Sequence, residues 1–375
     1  MGDNTFGQRF KITSFGESHG ELVGIIVDGV PAGLDFDLNN IQNELNMRKP
    51  GQSALTTPRI ERDKAKVLSG ILNNKTTGAP ICLIIENRDR DSSKYINYKN
   101  YLRPSHIDFT ILKKYGGYAD FRGSGRFSGR ITAGFVMAGA IAKQILRKLG
   151  ITIVAYTRSI GDIVDNEFYH IDNYDKIIDL RESSNVRALN MEKSKLMEEL
   201  INKVKNQKDS IGGTIKCIIN NFPEGIGGPI FNSIESKLSH SIFSIPGIKG
   251  IEFGAGFKAT RMRGSEHNDP WIIKEGKIQT TKNDSGGIIG GISTGMPIEF
   301  TIAVKPTATI SAPQKTVNIA TMENIEFEFH GRHDPCIVPR VIPVVEAMAA
   351  IVLIDFLLIE GLIPTVFEPQ NRNKV

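Results

Sequence analysis

Residues 122–149 read RGSGRFSGRITAGFVMAGAIAKQILRKL, a basic glycine-rich segment followed directly by an apolar one. From Thr132 to Leu149 the chain is rich in Ala and Gly, and Gly150 follows as a stop signal. This pattern predicts a helix capped by Thr132. Because its side chains are small, we expect the helix to pack closely against another element.

A second apolar segment, Val341 to Leu362, predicts another buried helix, from Pro343 to Ile359. It contains three acidic residues, and its longest charge-free stretch, Ala347 to Ile354, has eight residues. A membrane-spanning helix needs about 20 mostly uncharged residues. We therefore interpret this segment as a core helix and expect no membrane partner.

The remaining elements follow from hydrophobic periodicity. Strands and helices are mixed without a strict βαβ alternation, which favours an α+β fold. We expect one domain over residues 1–375, with a charged surface excursion near 162–190. The predicted strands are Val23–Val27, Ile81–Ile85, Ile151–Ala155, Ile215–Ile219, Ile248–Phe253 and a half-exposed Ile298–Val304; the predicted helices are Leu38–Asn46, capped by Asp37, and Met191–Lys205.

Composition narrows the class of protein. The 375 residues include 46 Lys and Arg against 41 Asp and Glu, a net charge of +5. That excess is too small to indicate a nucleic-acid-binding protein but suits an enzyme with an anionic substrate. Cys82, Cys217 and Cys336 are far apart, which predicts a reducing, cytoplasmic compartment. His333 and Cys336, with His330 nearby, could suggest a metal site, but without another Cys or His pair at ligand spacing we expect no metal.

Two motifs contain a histidine beside a hydroxyl group. GESHG at residues 16–20 places His19 next to Ser18 at what we expect to be an exposed strand end. RPSHID at 103–108 places His106 two residues before Asp108. Each histidine, taken alone, is compatible with a proton-transfer role or with a structural role in a turn.

Four further segments carry positive charge. Residues 122–132 interleave three Arg with Ser and Gly before a helix start, where backbone N–H groups and guanidinium groups form an anion site; a flexible surface loop is the alternative. HGRHDPC at 330–336 combines Arg, His and Asp, which can bind an anion and transfer protons. The basic residues around Arg48 and the segment KPTAT at 305–309 are compatible with ligand contact or a solvated surface.

Together these motifs favour an enzyme that binds a polyanionic small molecule and supplies proton donors. The alternative is a polyanion- or nucleic-acid-binding protein that uses the same basic glycine loops. Aromatic residues amount to only 7%, and the arginines cluster with histidines and not with stacking residues. We therefore expect no nucleic-acid partner.

Taken together, these motifs resemble those of a known family. GESHG followed by VDGVP at 27–31, RPSHID, GRFSGRIT and GRHDPC are similar to the signatures of chorismate synthases. Shorter matches, including KPTAT, occur in the same order, and the resemblance extends from about residue 5 to about residue 360. Several long motifs in sequence order are difficult to obtain by chance.

The resemblance implies a fold and a reaction. The family fold is a β-α-β sandwich with central helices between antiparallel sheets, assembled as a homotetramer. The reaction is the trans-1,4-elimination of phosphate from 5-enolpyruvylshikimate 3-phosphate to give chorismate, in aromatic amino acid biosynthesis. It requires reduced FMN without net redox change, so the resemblance also implies a separate source of reduced flavin.

The resemblance assigns roles to residues of this chain. His19 would protonate the departing phosphate, His106 would lie beside the flavin, and Asp334 with Ser18 and Ser128 would transfer a proton. The flavin-contacting positions would be Arg126, Phe127, Ser128, Pro246, Gly247, Gly290, Lys305, Pro306, Thr307, Ala308, Thr309 and Arg332, and the substrate-binding arginines would be Arg48, Arg59, Arg130 and Arg340.

The chain departs from the family pattern near Arg48. The basic run of three arginines is Met47-Arg48-Lys49 here, and an arginine common in bacterial members falls on Ala54. The family associates Arg48 and that lost arginine with NADP contact. The sequence therefore does not support a direct NADPH site.

Overall fold

The structure is a computed structural model that describes residues 2–51, 55, 62–88, 95, 98–166, 174–329, 331 and 333–367. The helices in this part of the chain are α1 (Leu38–Arg48), α2 (Asp108–Tyr115), α3 (Thr132–Lys148), α4 (Tyr174–Glu182), α5 (Met191–Asn206), α6 (Ile234–Phe243), α7 (Gly264–His267) and α8 (Val338–Ile359). The strands are β1 (Thr5–Phe6), β2 (Lys11–Gly16), β3 (Leu22–Asp28), β4 (Ala65–Val67), β5 (Ile71–Leu72), β6 (Lys75–Thr76), β7 (Ile81–Glu86), β8 (Thr152–Ile160), β9 (Ile163–Val164), β10 (Gly213–Asn220), β11 (Ile248–Phe253), β12 (Trp271–Lys274), β13 (Lys277–Thr280), β14 (Ile288–Ile289), β15 (Ile292–Ser293), β16 (Ile298–Val304), β17 (Gln314–Asn318) and β18 (Glu323–Phe327).

Two five-stranded antiparallel sheets form the outer layers of the fold. The first has the strand order β1-β2-β3-β7-β4, and the second has the order β11-β16-β10-β8-β9. Helix α3 packs on β3 and β7, α8 packs on β8 and β10, and the two helices pack on each other. The predicted α+β fold, a β-α-β sandwich with central helices, is confirmed.

The central helices approach closely because α3 carries glycine at their contact. A Cβ atom built on Gly139 would lie 2.2 Å from the Cβ and 2.4 Å from the Cα of Ala347 in α8. The small residues of the two helices therefore set the distance between the helices, and the close packing predicted from the composition of residues 132–149 is confirmed.

Helix α8 is buried as expected but begins five residues before the predicted start. By length and composition it could cross a membrane, yet 83% of its most apolar window is buried inside the fold. Pro343 lies inside the helix and cannot donate to the carbonyl of Pro339. Arg187 Nη1 donates to that carbonyl at 2.8 Å, so the helix continues through the proline.

The expectation of a half-exposed strand at Ile298–Val304 is wrong. Strand β16 is paired on both sides, with β10 and β11, and its apolar side chains belong to the core. The polar face is also covered, because Glu299 pairs with Lys216 at 2.5 Å. Alternation along this strand therefore separates an apolar interior face from a buried ion-paired face.

The N-cap residues of two helices were predicted from the sequence, and one of the two predictions is confirmed. Asp37 accepts from Asn39 N at 2.9 Å and caps α1, as predicted. Thr132 is not the cap of α3, because Ile131 occupies that position and the Thr132 hydroxyl donates to Gly129 O at 2.6 Å. A short 3₁₀ helix, Gly129–Ile131, precedes α3 and is capped by Ser128 instead.

The segment 162–190 packs on the second sheet where it is described. Ile177 and Leu189 form a small apolar cluster with Val154, Tyr156 and Ile218 of β8 and β10. The guanidinium of Arg181 is buried against Glu346 of α8, at 2.5 Å. Residues 167–173 lie outside the described part, and the extent of the single domain stays a prediction.

Candidate active site

The glycine-rich segment before α3 follows a left-handed backbone path. Gly123, Ser124 and Gly125 have φ values of 55°, 70° and 50°. Glycine adopts this conformation without steric cost, whereas it is uncommon for a residue with a side chain. The segment lies against the GESHG motif, where Ser18 N donates to Gly125 O at 3.2 Å. The two motifs therefore form one layer of the site.

The imidazole of His19 lies directly beneath Gly123. His19 is only 6% exposed, so the expected exposed strand end is wrong. Its ring packs edge-on against Tyr95, with centroids 5.1 Å apart. A Cβ atom on Gly123 would lie 2.2 Å from His19 Cδ2 and 3.0 Å from Ser18 Oγ. The missing side chain at position 123 is what leaves room for the ring.

We expect Gly123→Ala to displace the His19 imidazole and lower kcat roughly tenfold or more, because a shift of ~1 Å can cost about 100-fold in rate. Gly116→Ala is the matched control. Gly116 has a φ of 59°, and its nearest atom, Tyr118 Cδ2, is 4.0 Å from the built Cβ. Both variants carry left-handed strain of about 1–2 kcal/mol, which denaturation would measure. Equal kcat values for the two variants would contradict the claim that the space at Gly123 keeps the His19 imidazole in its catalytic position.

His106 belongs to a polar chain formed by the RPSHID motif and Ser124. Arg103 donates to Asp108 through Nε and Nη2, at 2.9 and 2.6 Å. Asp108 Oδ1 lies 3.3 Å from His106 Nδ1, and Ser124 Oγ lies 3.4 Å from His106 Nε2. Burial lowers the pKa of His106 despite the adjacent carboxylate. The imidazole is therefore neutral at neutral pH, held between Asp108 and Ser124.

Three of the predicted substrate-binding arginines lie in one cluster, in which Arg48 and Arg130 are buried and Arg340 is half-buried. Arg48 Nη1 is 3.2 Å from Asp63 Oδ2, and Arg130 Nη1 contacts Asp63 Oδ1. Arg340 pairs with Asp334 and donates its Nε to Arg48 O at 3.2 Å. The structure thus brings together arginines that are separated by 292 residues of sequence.

A cavity of about 660 Å³ lies beside this cluster, within the usual range of small-molecule sites. A second cavity of about 380 Å³ is lined by His19. The two cavities adjoin, because both are lined by Tyr95, Arg103, Ser124 and His333. Predicted site residues that line the larger cavity are Arg48, His106, Arg126, Phe127, Ser128, Arg130, Pro246, Gly247, Lys305, Pro306, Thr307, Ala308, Thr309, Asp334 and Arg340.

Arg126 lines the cavity but is also bound to the first sheet. Its guanidinium donates to Gly16 O at 2.9 Å, to Ser14 O and Oγ at 3.1 Å, and to Asn4 Oδ1 at 2.9 Å. These hydrogen bonds anchor the glycine-rich segment to β2. Arg126 therefore positions the loop in addition to facing the cavity.

Two predicted residues in the described part of the chain, Ser18 and Gly290, line neither cavity. Ser18 is 1% exposed and lies beneath Gly123. Gly290 lies in the turn between β14 and β15. Arg59 and Arg332, like Ala54, lie outside the described residues. In the part of the chain that the structure describes, no three His, Cys, Asp or Glu side chains gather into a metal site.

Sequence reasoning missed residues that support the predicted ones. Asp63 joins two arginines but belongs to no recognised motif. Asn87 follows β7 and accepts from Arg130 Nε at 2.9 Å. His333 lines both cavities and belongs to the GRHDPC motif, in which the sequence analysis assigns a role to Asp334 but none to His333. Only the last of these had a sequence signal.

Comparison with known proteins identifies the family. The family model for chorismate synthase matches residues 10–358. The chain belongs to the chorismate synthase family. Chorismate synthase from Dehalococcoides mccartyi is 51% identical over 97% of this chain and 99% of its own. The Korarchaeum cryptofilum and Methanocaldococcus jannaschii chorismate synthases are 48% and 47% identical over 96% of this chain, covering 98% and 97% of their own.

A solved structure supports the same assignment. A crystal structure of chorismate synthase matches with a TM-score of 0.74 and 32% identity, over 97% of this chain and 95% of that one. The resemblance seen in the motifs is confirmed, and the chorismate synthase family places the chain among the lyases of aromatic amino acid biosynthesis. The alternative of a nucleic-acid-binding protein is not supported by these relatives.

Proposed function

We propose that this chain is a carbon–oxygen lyase that removes phosphate from 5-enolpyruvylshikimate 3-phosphate by trans-1,4-elimination and releases chorismate, with reduced FMN as cofactor. The observation that supports this proposal is the joint lining of one cavity by three arginines, a neutral histidine and a paired aspartate. The substrate carries carboxylates and a phosphate, which guanidinium groups bind through charge-assisted hydrogen bonds.

The polar atoms of the cavity fit a flavin. Thr307 Oγ1 is buried without a hydrogen-bond partner in the described structure, so it can bind a polar ring edge. Reduced FMN, when bound, supplies electron density that helps phosphate to leave. The residues proposed to hold it are Arg126, Phe127, Ser128, Pro246, Gly247 and Lys305–Thr309; Gly290 and Arg332 stay predictions.

The chain's own residues would then bind the anion and close the site. Arg48, Arg130 and Arg340 would orient the carboxylates and the phosphate. Lys305 Nζ donates to Ser105 O at 2.9 Å. Partial burial lowers the pKa of the Lys305 ammonium group. This contact joins the RPSHID and KPTAT motifs, which both line the cavity.

Proton transfer would use the two histidines differently. We propose that His19 donates a proton to the departing phosphate oxygen from its buried position beside Ser18. His106 would stay neutral and orient the cofactor by hydrogen bonding. The carboxylate of Asp334, held by Arg340, would accept a proton with the assistance of Ser18 and Ser128.

The test is turnover of 5-enolpyruvylshikimate 3-phosphate under anaerobic conditions with dithionite-reduced FMN. We expect many turnovers per flavin and a flavin spectrum that returns to the reduced form. Stoichiometric flavin oxidation with product would show net redox chemistry and contradict the proposal. No turnover with reduced FMN would contradict the activity itself.

A second arm tests the source of reduced flavin. We propose a separate reductase, because Ala54 replaces a residue that the family associates with NADP. The chain with oxidised FMN and NADPH in the dark should therefore form little chorismate. Rapid product formation there would reveal a built-in reductase activity. A homotetramer also stays part of the proposal, and light scattering would measure this oligomeric state. The cytoplasmic location stays a proposal as well.

A further inference from the structure

We propose that Asp63 is a positioning residue of the anion site: its buried carboxylate holds Arg48 and Arg130 so that their remaining N–H groups face the substrate. This inference rests on the proposed function, since the anion it concerns is 5-enolpyruvylshikimate 3-phosphate. Asp63 itself does not line the described cavities. Its effect on the substrate would pass through the two arginines.

Each oxygen of the Asp63 carboxylate binds a different guanidinium. Oδ2 lies 3.2 Å from Arg48 Nη1, and Oδ1 contacts Arg130 Nη1, while the Asp63 side chain is fully buried. The backbone is also held, because Gln42 Nε2 donates to Asp63 O at 3.0 Å. The carboxylate therefore bridges the two guanidinium groups and sets their separation.

The other donors of the arginines show what remains for a ligand. Arg48 donates to Thr132 Oγ1 at 3.1 Å and to Gly129 O at 2.6 Å. Arg130 donates its Nε to Asn87 Oδ1, but its buried Nη2 has no hydrogen-bond partner in the described structure. Both arginines line the larger cavity. Between these two arginines, Arg130 Nη2 is thus the donor that we assign to the substrate.

Charge gives Asp63 a second effect on the same site. Three guanidinium groups and the carboxylates of Asp63 and Asp334 leave one positive charge in excess. Burial lowers the pKa of Arg48 to about 9, and Asp63 opposes this decrease. Without the carboxylate, two buried arginines would repel each other and turn away from their present positions.

The decisive variant is Asp63→Asn, which keeps the shape of the side chain and tolerates the left-handed φ of 41° at this position. Calorimetry should show a substrate Kd raised roughly 10–100-fold, as expected for the loss of a charge-assisted contact. KM should rise by a similar factor, while kcat with reduced FMN changes less. A Kd equal to that of the unmodified chain would overturn the inference.

Two further variants separate positioning from folding. Glu299→Gln is the matched control, because this buried carboxylate also pairs with a cation, Lys216, but lines neither cavity; it should lower stability and leave Kd unchanged. Asp63→Glu retains the charge, but its side chain is longer by one methylene and would displace the guanidinium groups. If Asp63→Asn does not fold, Asp63→Glu decides: a raised Kd supports positioning and an unchanged Kd overturns it.

The inference and the proposed function fail in distinguishable ways. If the unmodified chain does not bind 5-enolpyruvylshikimate 3-phosphate, the proposed function fails, and with it the substrate named here. If the unmodified chain binds it and all Asp63 variants bind equally well, only the positioning role fails. A Kd raised as much by Glu299→Gln as by Asp63→Asn would also overturn that role, since it would reflect general destabilisation.

Discussion

Replacing His19 with alanine is expected to lower kcat by about 10²–10⁴-fold, the usual contribution of a general acid. The imidazole is buried beneath Gly123 and lines the cavity that adjoins the arginine cluster. It does not belong to that cluster, so substrate affinity should change little. Anaerobic turnover at saturating substrate and reduced FMN measures the first effect, and calorimetry measures the second.

A matched histidine controls for a general effect of the substitution. His240 lies exposed on α6, where its ring contacts Phe6 with centroids 5.2 Å apart, and it lines neither cavity. His240→Ala should keep the native kcat. If His19→Ala also keeps near-native kcat, the general-acid role is wrong, whatever happens to the affinity.

Gly139→Ala is expected to lower the free energy of unfolding by about 3 kcal/mol, at the upper end of the cost of overpacking. The added Cβ would lie 2.2 Å from Ala347 Cβ and 2.4 Å from its Cα, so a backbone shift is required. Such a shift would move α3 against α8 at the centre of the sandwich. Equilibrium denaturation of the purified variant measures the loss.

Two variants test the cause of that loss. Gly264→Ala is the control, because a Cβ there meets no atom within 4 Å and the backbone is not left-handed. Adding Ala347→Gly to Gly139→Ala removes the nearest atom but not the Cα behind it, so stability should return only in part. Full stability of Gly139→Ala alone would show that the helices have room to separate.

The sequence predicted much of the candidate site because its motifs are local. Left-handed backbone at Gly123 and Gly125 favours glycine, and that preference is visible in RGSGR. Arg48, His106 and Asp334 were selected from short basic or histidine-containing segments, and all three line one cavity. The resemblance to a family, and not the spacing of residues, supplied their proposed roles.

Burial was harder to predict than secondary structure. The strand Ile248–Phe253 was predicted with the bounds that the structure has, because hydrophobic runs identify strands. The exposure of His19 and of Ile298–Val304 was predicted wrongly. In both cases the covering groups, Gly123 and Lys216, come from distant parts of the chain.

The sequence alone determined the two central helices, six strands of the two five-stranded sheets and the motifs of the site, since each depends on neighbouring residues and their backbone preferences. Only the tertiary structure decided which side chains meet. Asp63 lies 15 residues from Arg48 and 67 residues from Arg130, yet its two oxygens bind both. Periodicity cannot encode such a contact, because a buried carboxylate is stabilised by whichever cations the packing of the helices and sheets brings to it.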